Sequence, residues 1–369
     1  MSRNNTSIIK AALTALDMTG ANRIAAPLTG GLGAILMLHH VAPETGEAFE
    51  PNHILRITPE YLEQVIGLVD EMGYEAVSLD DIPARIAAGR DAKPFVAFTF
   101  DDGYRDNRDY ALPIMRRHDI PMAVYVVSDF ADGNGELWWL AVEKAIRELD
   151  RIDLVLGNQR FVQSCASLEE KHRVFHQLYW SMRHAPESET RSVAAALAQQ
   201  AGFDPVSICR ELVMNWDELR DFANDPLVTI GAHTTSHYAL AKLDAATARR
   251  HMNESVARIE TELNLPCRHF SFPYGNQIAC GTREFRSARR LGMMTAVTTE
   301  KGLIHPHHRR AMTALPRVSL NGDYQDLRYL RTLLSGAPFA LLEAARRITQ
   351  TPAAAARALF TSRRPATST

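Results

Sequence analysis

The sequence predicts an α/β fold in which parallel strands close into a (β/α) barrel. Short apolar segments alternate with amphipathic helical segments, and the number of apolar segments favours a barrel over an open sheet. The chain has 369 residues, 46% of them hydrophobic and 23% charged, a composition typical of a soluble globular protein with a sizeable core. The predicted strands cover residues 34–38, 75–79, 95–100, 122–127, 227–232, 268–272, 294–299 and 315–320.

The individual elements have recognisable patterns. Residues 95–100, FVAFTF, are apolar at nearly every position, as in a strand that is buried on both faces. One helix is predicted to begin at Pro59 with Thr58 as its cap and to end at Gly73. Asp244 is predicted to cap another helix, whose apolar face consists of Ala248, Met252, Val256, Ile259 and Leu263.

One connection is much longer than the others. Roughly ninety residues separate the predicted strand that ends at Val127 from the one that begins at Leu227, so we expect a helical insertion over about residues 131–220. The predicted organisation is therefore an N-terminal extension (1–31), a barrel domain with the insertion (32–320), and a helical C-terminal extension with a disordered tail (321–369).

Composition excludes several classes of function. The formal charge of −2 gives no basic field for nucleic acid. No stretch reaches about 18 apolar residues, and we find no secretion signal at the N-terminus. The four cysteines form no Cys-x-x-Cys pair, which favours buried or free thiols in a reducing compartment, and we expect a cytoplasmic protein; they are Cys165, Cys209, Cys267 and Cys280.

Two adjacent acids follow the most apolar strand. Because the carboxyl ends of barrel strands form the active-site face, Asp101 and Asp102 are expected to face a substrate or a metal. The alternative is that one of them caps the next helix while its neighbour is solvated. A dehalogenase nucleophile would need Asp-x-Asp, whereas these acids are adjacent.

Two histidines four residues apart follow the strand 227–232. His233 and His237, together with Asp102, would hold a metal and leave coordination positions open for catalysis. The spacing alone is a weak signal, because His172 and His176 share it inside the insertion, where a helix face is the expected explanation. The lack of a glutamate between His233 and His237 argues against a zincin protease.

A Pro-Tyr-Gly bend, residues 273–275, ends a third strand at the same rim. Such a bend can direct a backbone N–H into the site, although by itself the pattern indicates no more than a turn.

Together these motifs resemble the polysaccharide deacetylases of carbohydrate esterase family 4, which contain the NodB homology domain. The matching segments are TFDDG (99–103), HTTSH (233–237) and FPYG (272–275), and the resemblance covers residues 32–320. It implies a distorted (β/α) barrel of the NodB type and a hydrolase that removes N- or O-acetyl groups from sugar polymers or oligomers. It also implies a divalent metal, zinc foremost, with cobalt, manganese or nickel as alternatives.

The resemblance assigns a role to each matching residue. Asp101 would be the general base, Asp102, His233 and His237 the metal ligands, and the Tyr274 backbone N–H an oxyanion donor. The segment LMLHHV (36–41) is similar to the first strand of a family branch in which a histidine there is the general acid. That residue would be His39, and strand alternation would turn His40 away.

Two departures from the family pattern weaken the resemblance. Many members have an arginine that orients the base two residues before the motif's proline, where this chain has Ser271; Arg317 is the first candidate replacement and Arg268 the second. A C-terminal Leu-x-x-His is also not evident. The C-terminal histidines that could replace it lie in a segment that we expect to be a solvated loop; they are His305, His307 and His308.

Three functions remain under comparison. The first is a metal-dependent N-deacetylase, which takes an acetylated carbohydrate. The second is another metal hydrolase on a barrel, which would normally begin with His-x-His rather than the adjacent His39 and His40. The third is a catalytically impaired relative that binds carbohydrate or assists assembly.

Two further features have alternative explanations. The basic amphipathic segment 323–347 either makes weak peripheral contact with a membrane or packs on the barrel. Three tryptophans either stack on sugar rings or belong to a core; they are Trp138, Trp139 and Trp216. The oligomeric state is left open.

Overall fold

A computed structural model describes residues 3–345 and places all eight predicted strand segments in β-structure. The described residues form two compact units: one spans residues 32–327, and the other combines the residues before 32 with those after 327. The strands are β1 (Gly33–Leu38), β2 (His40–Val41), β3 (Arg56–Ile57), β4 (Glu75–Ala76), β5 (Phe95–Phe100), β6 (Met122–Val126), β7 (Arg151–Leu156), β8 (Gln159–Ser164), β9 (Val228–Ala232), β10 (His269–Ser271), β11 (Thr295–Lys301) and β12 (Leu315–Ser319).

The helices lie between the barrel strands, in the long insertion and at both ends of the chain. They are α1 (Arg3–Met18), α2 (Ala21–Thr29), α3 (Pro59–Glu71), α4 (Ile82–Ala88), α5 (Leu112–Arg117), α6 (Ser128–Ala131), α7 (Trp138–Glu148), α8 (Leu168–His184), α9 (Glu187–Gln200), α10 (Pro205–Leu212), α11 (Trp216–Ala223), α12 (Ala245–Leu263), α13 (Thr282–Arg290) and α14 (Leu327–Leu334).

Seven parallel strands close the barrel in the order β1-β12-β11-β10-β9-β6-β5, and β5 then pairs with β1. The closing pair runs in register from Gly33 opposite Phe95 to Leu38 opposite Phe100. The barrel prediction is therefore confirmed. The segment 75–79 forms only the two-residue strand β4, which pairs with β5 outside the ring before a 3₁₀ turn begins at Leu79.

The local signals for strands and helices hold in the structure. All six residues of β5 are buried, as expected for a strand covered on both faces. Helix α3 begins where Thr58 Oγ1 accepts a hydrogen bond from the Tyr61 amide (3.1 Å). Helix α12 begins at Asp244, whose side chain accepts from two backbone amides, and ends at Asn264 in the left-handed conformation (φ 52°).

The insertion between β6 and β9 is not purely helical, which corrects the sequence prediction. Besides α6 to α11 it contains an antiparallel hairpin in which β7 pairs with β8. The pairing of Leu156 with Gln159 leaves the two-residue turn Gly157-Asn158, and Gly157 has φ 56°. A Gly-Asn turn beside alternating apolar residues is typical of a β-hairpin, whereas the prediction for this segment was helical.

Burial decides one open alternative, the role of the three tryptophans. Trp138, Trp139 and Trp216 are 1%, 5% and 7% exposed, so they belong to a core rather than to an open stacking surface. The four cysteines are all free and buried.

The smaller unit contains α1, α2 and the residues after 327, with further helical residues at 337–345. Leu330 and Leu334 are buried there, whereas Leu341 and Leu342 are exposed. Arg346, Arg347 and the predicted disordered tail lie outside the described residues. Within residues 3–345 no helix has the length and apolar character that a membrane crossing requires.

Candidate active site

The predicted site residues come together at the carboxyl end of the barrel, because each belongs to a strand or to the loop that follows one. His39 follows β1, Asp101 and Asp102 follow β5, His233 and His237 follow β9, Tyr274 follows β10, and Arg317 lies within β12.

Three of these residues form a compact buried triad. Asp102, His233 and His237 each offer one ligand atom, and these atoms all lie within 4.8 Å of one another. Asp102 Oδ1 is 3.5 Å from His233 Nε2 and 3.3 Å from His237 Nε2. Ligand atoms bound tetrahedrally at 2.0–2.1 Å from one zinc ion are separated by about 3.3 Å, so this spacing is what a shared cation requires.

The hydrogen bonds of the triad also fit a metal site. His233 Nδ1 donates to the Ser271 carbonyl (2.7 Å), which leaves the Nε2 lone pair facing Asp102. Burial lowers the pKa of His233 to about 4, so its imidazole is neutral, the form that binds metals. Within the described residues, Asp102 Oδ1 and His237 Nδ1 are buried without a hydrogen-bond partner. Two imidazoles and a carboxylate suit zinc and related divalent ions.

Asp101, the neighbouring acid, is held by a buried arginine. Arg317 is 1% exposed and donates to both carboxylate oxygens, with Nη1–Oδ1 at 2.9 Å and Nη2–Oδ2 at 2.7 Å. The same guanidinium donates to Ser271 Oγ (3.2 Å). Burial by itself would raise the pKa of Asp101, but the charge of Arg317 outweighs it and the pKa lies below its ordinary value.

This contact answers the sequence question raised by Ser271. Of the two candidate arginines, Arg317 from β12 is the one that contacts both Asp101 and Ser271. The second candidate, Arg268, is instead half-exposed and donates to Asp80 (2.7 Å).

His39 lies beside Asp101 and is partly exposed. Its Nε2 is 3.9 Å from Asp101 Oδ2, and its side chain is 20% exposed. Burial lowers the pKa of His39, while Asp101 opposes that shift. His40 is turned elsewhere, because its Nδ1 is 2.6 Å from Asp106 Oδ2.

The histidines after β11 are remote from this rim. Ile304 pairs with Gly33 at the start of β1, so the neighbouring His305, His307 and His308 lie towards the opposite end of the barrel. His172 and His176, which share the H-x-x-x-H spacing, lie on helix α8, where His176 accepts a hydrogen bond from Trp180. Neither group belongs to the cluster that could hold a metal.

The Pro-Tyr-Gly bend is tightly fixed against β11. Tyr274 has φ 60°, and its carbonyl accepts from Thr299 Oγ1 (2.6 Å). Gly275 has φ 52°, and a Cβ there would lie 2.4 Å from the Thr299 backbone nitrogen. The Tyr274 ring lies 4.7 Å from the His237 ring, so the bend brings this residue to the edge of the triad.

Backbone strain is concentrated in the same motifs. Six non-glycine residues in the described chain have positive φ, and four of them are motif residues: Asp102, Thr234, His237 and Tyr274. Such conformations cost about 1–3 kcal/mol each and persist where the surrounding structure enforces them, which is common at functional sites.

The insertion supplies a part of the site that no sequence pattern indicates. The Trp139 ring is 5.0 Å from the His237 ring, and Phe130 stacks on His237 at 5.9 Å. Trp138 Nε1 donates to the Tyr274 hydroxyl (2.7 Å). The adjacent tryptophans were noted as aromatic, but no spacing rule connects them to a histidine about a hundred residues further along the chain.

Comparison with known proteins agrees with this arrangement. Residues 88–159 and 172–296 match the profile of a family described as polysaccharide deacetylase. None of the curated protein sequences matches the chain.

Solved structures with a similar fold include three deacetylases, and at their sequence identities the likeness establishes the fold alone. The deacetylase PplD from Streptococcus pyogenes, in complex with acetate, is 16% identical over 82% of this chain and 97% of that one, with a TM-score of 0.54. IcaB from Ammonifex degensii is 16% identical over 82% and 97%, with a TM-score of 0.52. A de-N-acetylase from Aggregatibacter actinomycetemcomitans is 14% identical over 81% and 98%, with a TM-score of 0.50.

Proposed function

The chain belongs to the polysaccharide deacetylase family, and from this premise we propose that it is a metal-dependent N-deacetylase of amino-sugar oligosaccharides, polysaccharides or glycan precursors. As a family member it is a hydrolase that acts on carbon–nitrogen bonds other than peptide bonds. The observation that carries the proposal is the pairing, on one barrel rim, of a buried ligand triad with a carboxylate that an arginine holds in place.

Asp102, His233 and His237 would hold the metal, with zinc foremost and cobalt, manganese or nickel as alternatives for the same donors. When bound, such an ion supplies Lewis acidity, which makes water more acidic and polarises an acetyl carbonyl. The chain's own contribution is to keep the His233 imidazole neutral and the carboxylate ionised. Burial lowers the pKa of His233 to about 4, and although burial opposes ionisation of Asp102, its interaction with the neighbouring His237 holds the pKa of Asp102 below the ordinary value.

Proton transfer would fall to two residues. An amide is a poor electrophile with a poor leaving group, so both the attacking water and the departing nitrogen need help. Asp101, kept ionised and oriented by Arg317, would accept the proton of the attacking water. His39, partly exposed at the same rim, would donate a proton to the departing nitrogen. Each transfer is typically worth about 10²–10⁴ in rate.

The oxyanion would be bound by the Tyr274 backbone N–H. The rigid bend and the positive φ of Tyr274 fix the orientation of this amide before substrate binds. Within residues 3–345 the N–H makes no hydrogen bond. Loss of one such donor typically costs about 2.7–4 kcal/mol of transition-state stabilisation.

Arg317 also bears on the alternative of a catalytically impaired relative. That alternative depended on Ser271 and on the missing C-terminal histidine motif. The bidentate contact from Arg317 supports a working base, and the position of His39 supports a proton donor that does not require the C-terminal motif.

The first experiment is to measure bound metal per chain after zinc loading and desalting, and then acetate release from N-acetylated oligosaccharides. We expect wild type to retain about one ion per chain and to release acetate, and His237→Ala to do neither. His176→Ala is the matched control, because it removes the last histidine of the same H-x-x-x-H spacing on the exposed face of α8. Equal metal content in wild type and His237→Ala would refute the site.

We also propose a cytoplasmic location and weak peripheral contact with a membrane. The four free, buried cysteines support a reducing compartment. Leu341 and Leu342, 57% and 52% exposed, support the membrane contact. Flotation with anionic vesicles should decrease for the double variant Leu341→Glu, Leu342→Glu. Equal flotation of that variant and wild type would end the membrane proposal.

A further inference from the structure

Arg183 is an unusual buried cation near the end of α8. It is 5% exposed, and its guanidinium carbon lies 3.6 Å from the centroid of the Tyr274 ring. The Tyr179 hydroxyl lies beside the guanidinium. In the described part of the chain, no carboxylate oxygen lies within 4.0 Å of the Arg183 guanidinium, the limit for an ion pair. Buried charges in proteins are normally paired, so a buried arginine with an aromatic and a hydroxyl neighbour but no acid requires an explanation.

The nearby carboxylates are occupied by other cations. Glu187 is 3.6 Å from Lys242 Nζ and 3.7 Å from Arg191, and Arg191 is also 3.8 Å from Glu136. With Arg183, three cations therefore share two carboxylates. This group of residues, which includes Lys242 from the segment after β9, has one more positive charge than negative charges.

The unpaired cation lies close to the metal triad. The Tyr274 ring contacts both, with its centroid 3.6 Å from the Arg183 guanidinium carbon and 4.7 Å from the His237 ring centroid, so the guanidinium is within about 8 Å of the His237 ring. A hexosamine with a charged substituent can bridge such a distance. Stacking on Tyr274 also fixes the plane of the guanidinium, which favours recognition of a planar or multidentate oxyanion.

We propose that Arg183 binds an anionic group of the substrate, a phosphate or a carboxylate, carried on or next to the sugar that is deacetylated. The proposal rests on the proposed function and adds a substrate class to it: acidic rather than neutral acetylated glycans. The arginine fork donates two parallel hydrogen bonds to either oxyanion, and burial strengthens them. The specificity would come from the insertion, since helix α8 supplies the residue.

The test is binding of three small ligands to zinc-loaded, full-length protein by titration calorimetry. N-acetylglucosamine 1-phosphate provides a phosphate, N-acetylmuramic acid a carboxylate, and N-acetylglucosamine neither. We expect wild type to bind one of the two anionic ligands about 10- to 100-fold more tightly than the neutral one, the range that a charged hydrogen-bonded contact provides. Arg183→Met should reduce this preference to less than about threefold, and Arg183→Lys should keep part of it.

Arg173→Met is the matched control, because it removes the same charge from the same helix at an exposed position. It should leave the preference for the anionic ligand unchanged. Equal thermal midpoints for the three variants would exclude unfolding as the cause, and Arg183→Lys provides a second readout if Arg183→Met is unstable.

Several outcomes would overturn the proposal: wild type binding all three ligands equally or none of them, or Arg183→Met retaining the preference. Acetate release keeps the two hypotheses separate. If no acetylated sugar releases acetate but the Arg183-dependent preference remains, the proposed reaction fails and the anion site stands. Acetate released equally from neutral and acidic oligosaccharides by wild type and Arg183→Met would leave the reaction standing and remove the anion site.

Discussion

Arg317 is the residue on which the geometry of the proposed base depends. It donates to Asp101, to Ser271 and to Thr99 Oγ1 (3.2 Å), and its Nε donates to the Thr298 carbonyl (2.9 Å). These contacts satisfy a guanidinium that is almost fully buried. Arg317 therefore both neutralises the Asp101 carboxylate and fixes its orientation.

Removal of Arg317 should damage both stability and activity. Arg317→Met leaves the buried Asp101 carboxylate unpaired, and breaking such a pair typically lowers the free energy of unfolding by about 3–5 kcal/mol. Urea unfolding of the variant and of wild type measures this difference. Adding Ser271→Arg to that variant places an arginine where many relatives have one, and we expect partial recovery of both stability and turnover. A double variant no better than Arg317→Met would show that Ser271 and Arg317 do not occupy equivalent space.

Asp101→Asn separates metal binding from proton transfer. The amide keeps the size of the carboxylate but cannot accept the proton of water, so kcat should fall by about 10²–10⁴. Metal content should remain at the wild-type level, because Asp101 lies outside the cluster that could hold the ion. Undiminished turnover in this variant would remove Asp101 from its proposed role.

Among the secondary-structure elements, the segment after β5 is tied to helix α11 through one acid. Glu218 Oε1 accepts from Arg105 Nε (2.8 Å) and Arg108 Nη1 (2.7 Å), and its side chain is 22% exposed. Hydrogen bonds from Arg105 are the main cause that lowers the pKa of Glu218 to about 2. This contact anchors the insertion's last helix beside the TFDDG loop.

The free energy of unfolding should depend on pH through Glu218. A carboxyl group whose pKa is lower in the folded state than in the unfolded state stabilises the folded state. For Glu218 this stabilisation is fully present above the unfolded pKa of 4.5 and disappears as the pH falls towards 2. Glu218→Gln should therefore be about 1–2 kcal/mol less stable than wild type at pH 7, allowing for partial solvent exposure.

The difference between Glu218→Gln and wild type should shrink between pH 4.5 and pH 2. Glu169→Gln, an exposed first-turn acid of α8, is the control. A difference that stays constant over this range would contradict the assigned cause.

For the whole molecule, metal binding and folding should be coupled. The triad joins loops that follow two different strands, β5 and β9, so only the folded barrel brings the ligands together. Zinc at 100 times its dissociation constant should stabilise the protein by about 2.7 kcal/mol and raise its thermal midpoint. His237→Ala should show no such rise, whereas His176→Ala should behave like wild type. A similar rise in His237→Ala would place the stabilising ion elsewhere.

Most of the barrel could be predicted from the sequence because its signals are local. Apolar runs such as β5 and caps such as Thr58 and Asp244 act within a few residues, and the structure contains them where they were expected. The hairpin of β7 and β8 was missed even though its turn signal is local, because the surrounding helical patterns dominated the interpretation.

Sequence alone predicts which chemical groups stand at the carboxyl ends of the strands: two acids, two histidines and a rigid bend. Parallel strands bring their ends to one rim, so position after a strand was enough to group them. The arginine that binds Asp101 and the side chains that pack on His237 can be identified only from the folded structure. Asp101 and Arg317 are 216 residues apart, and their contact exists because β1 joins β5 to β12 when the ring closes. The packing of Trp139 against His237 likewise depends on the tertiary fold of the insertion, which no local sequence pattern predicts.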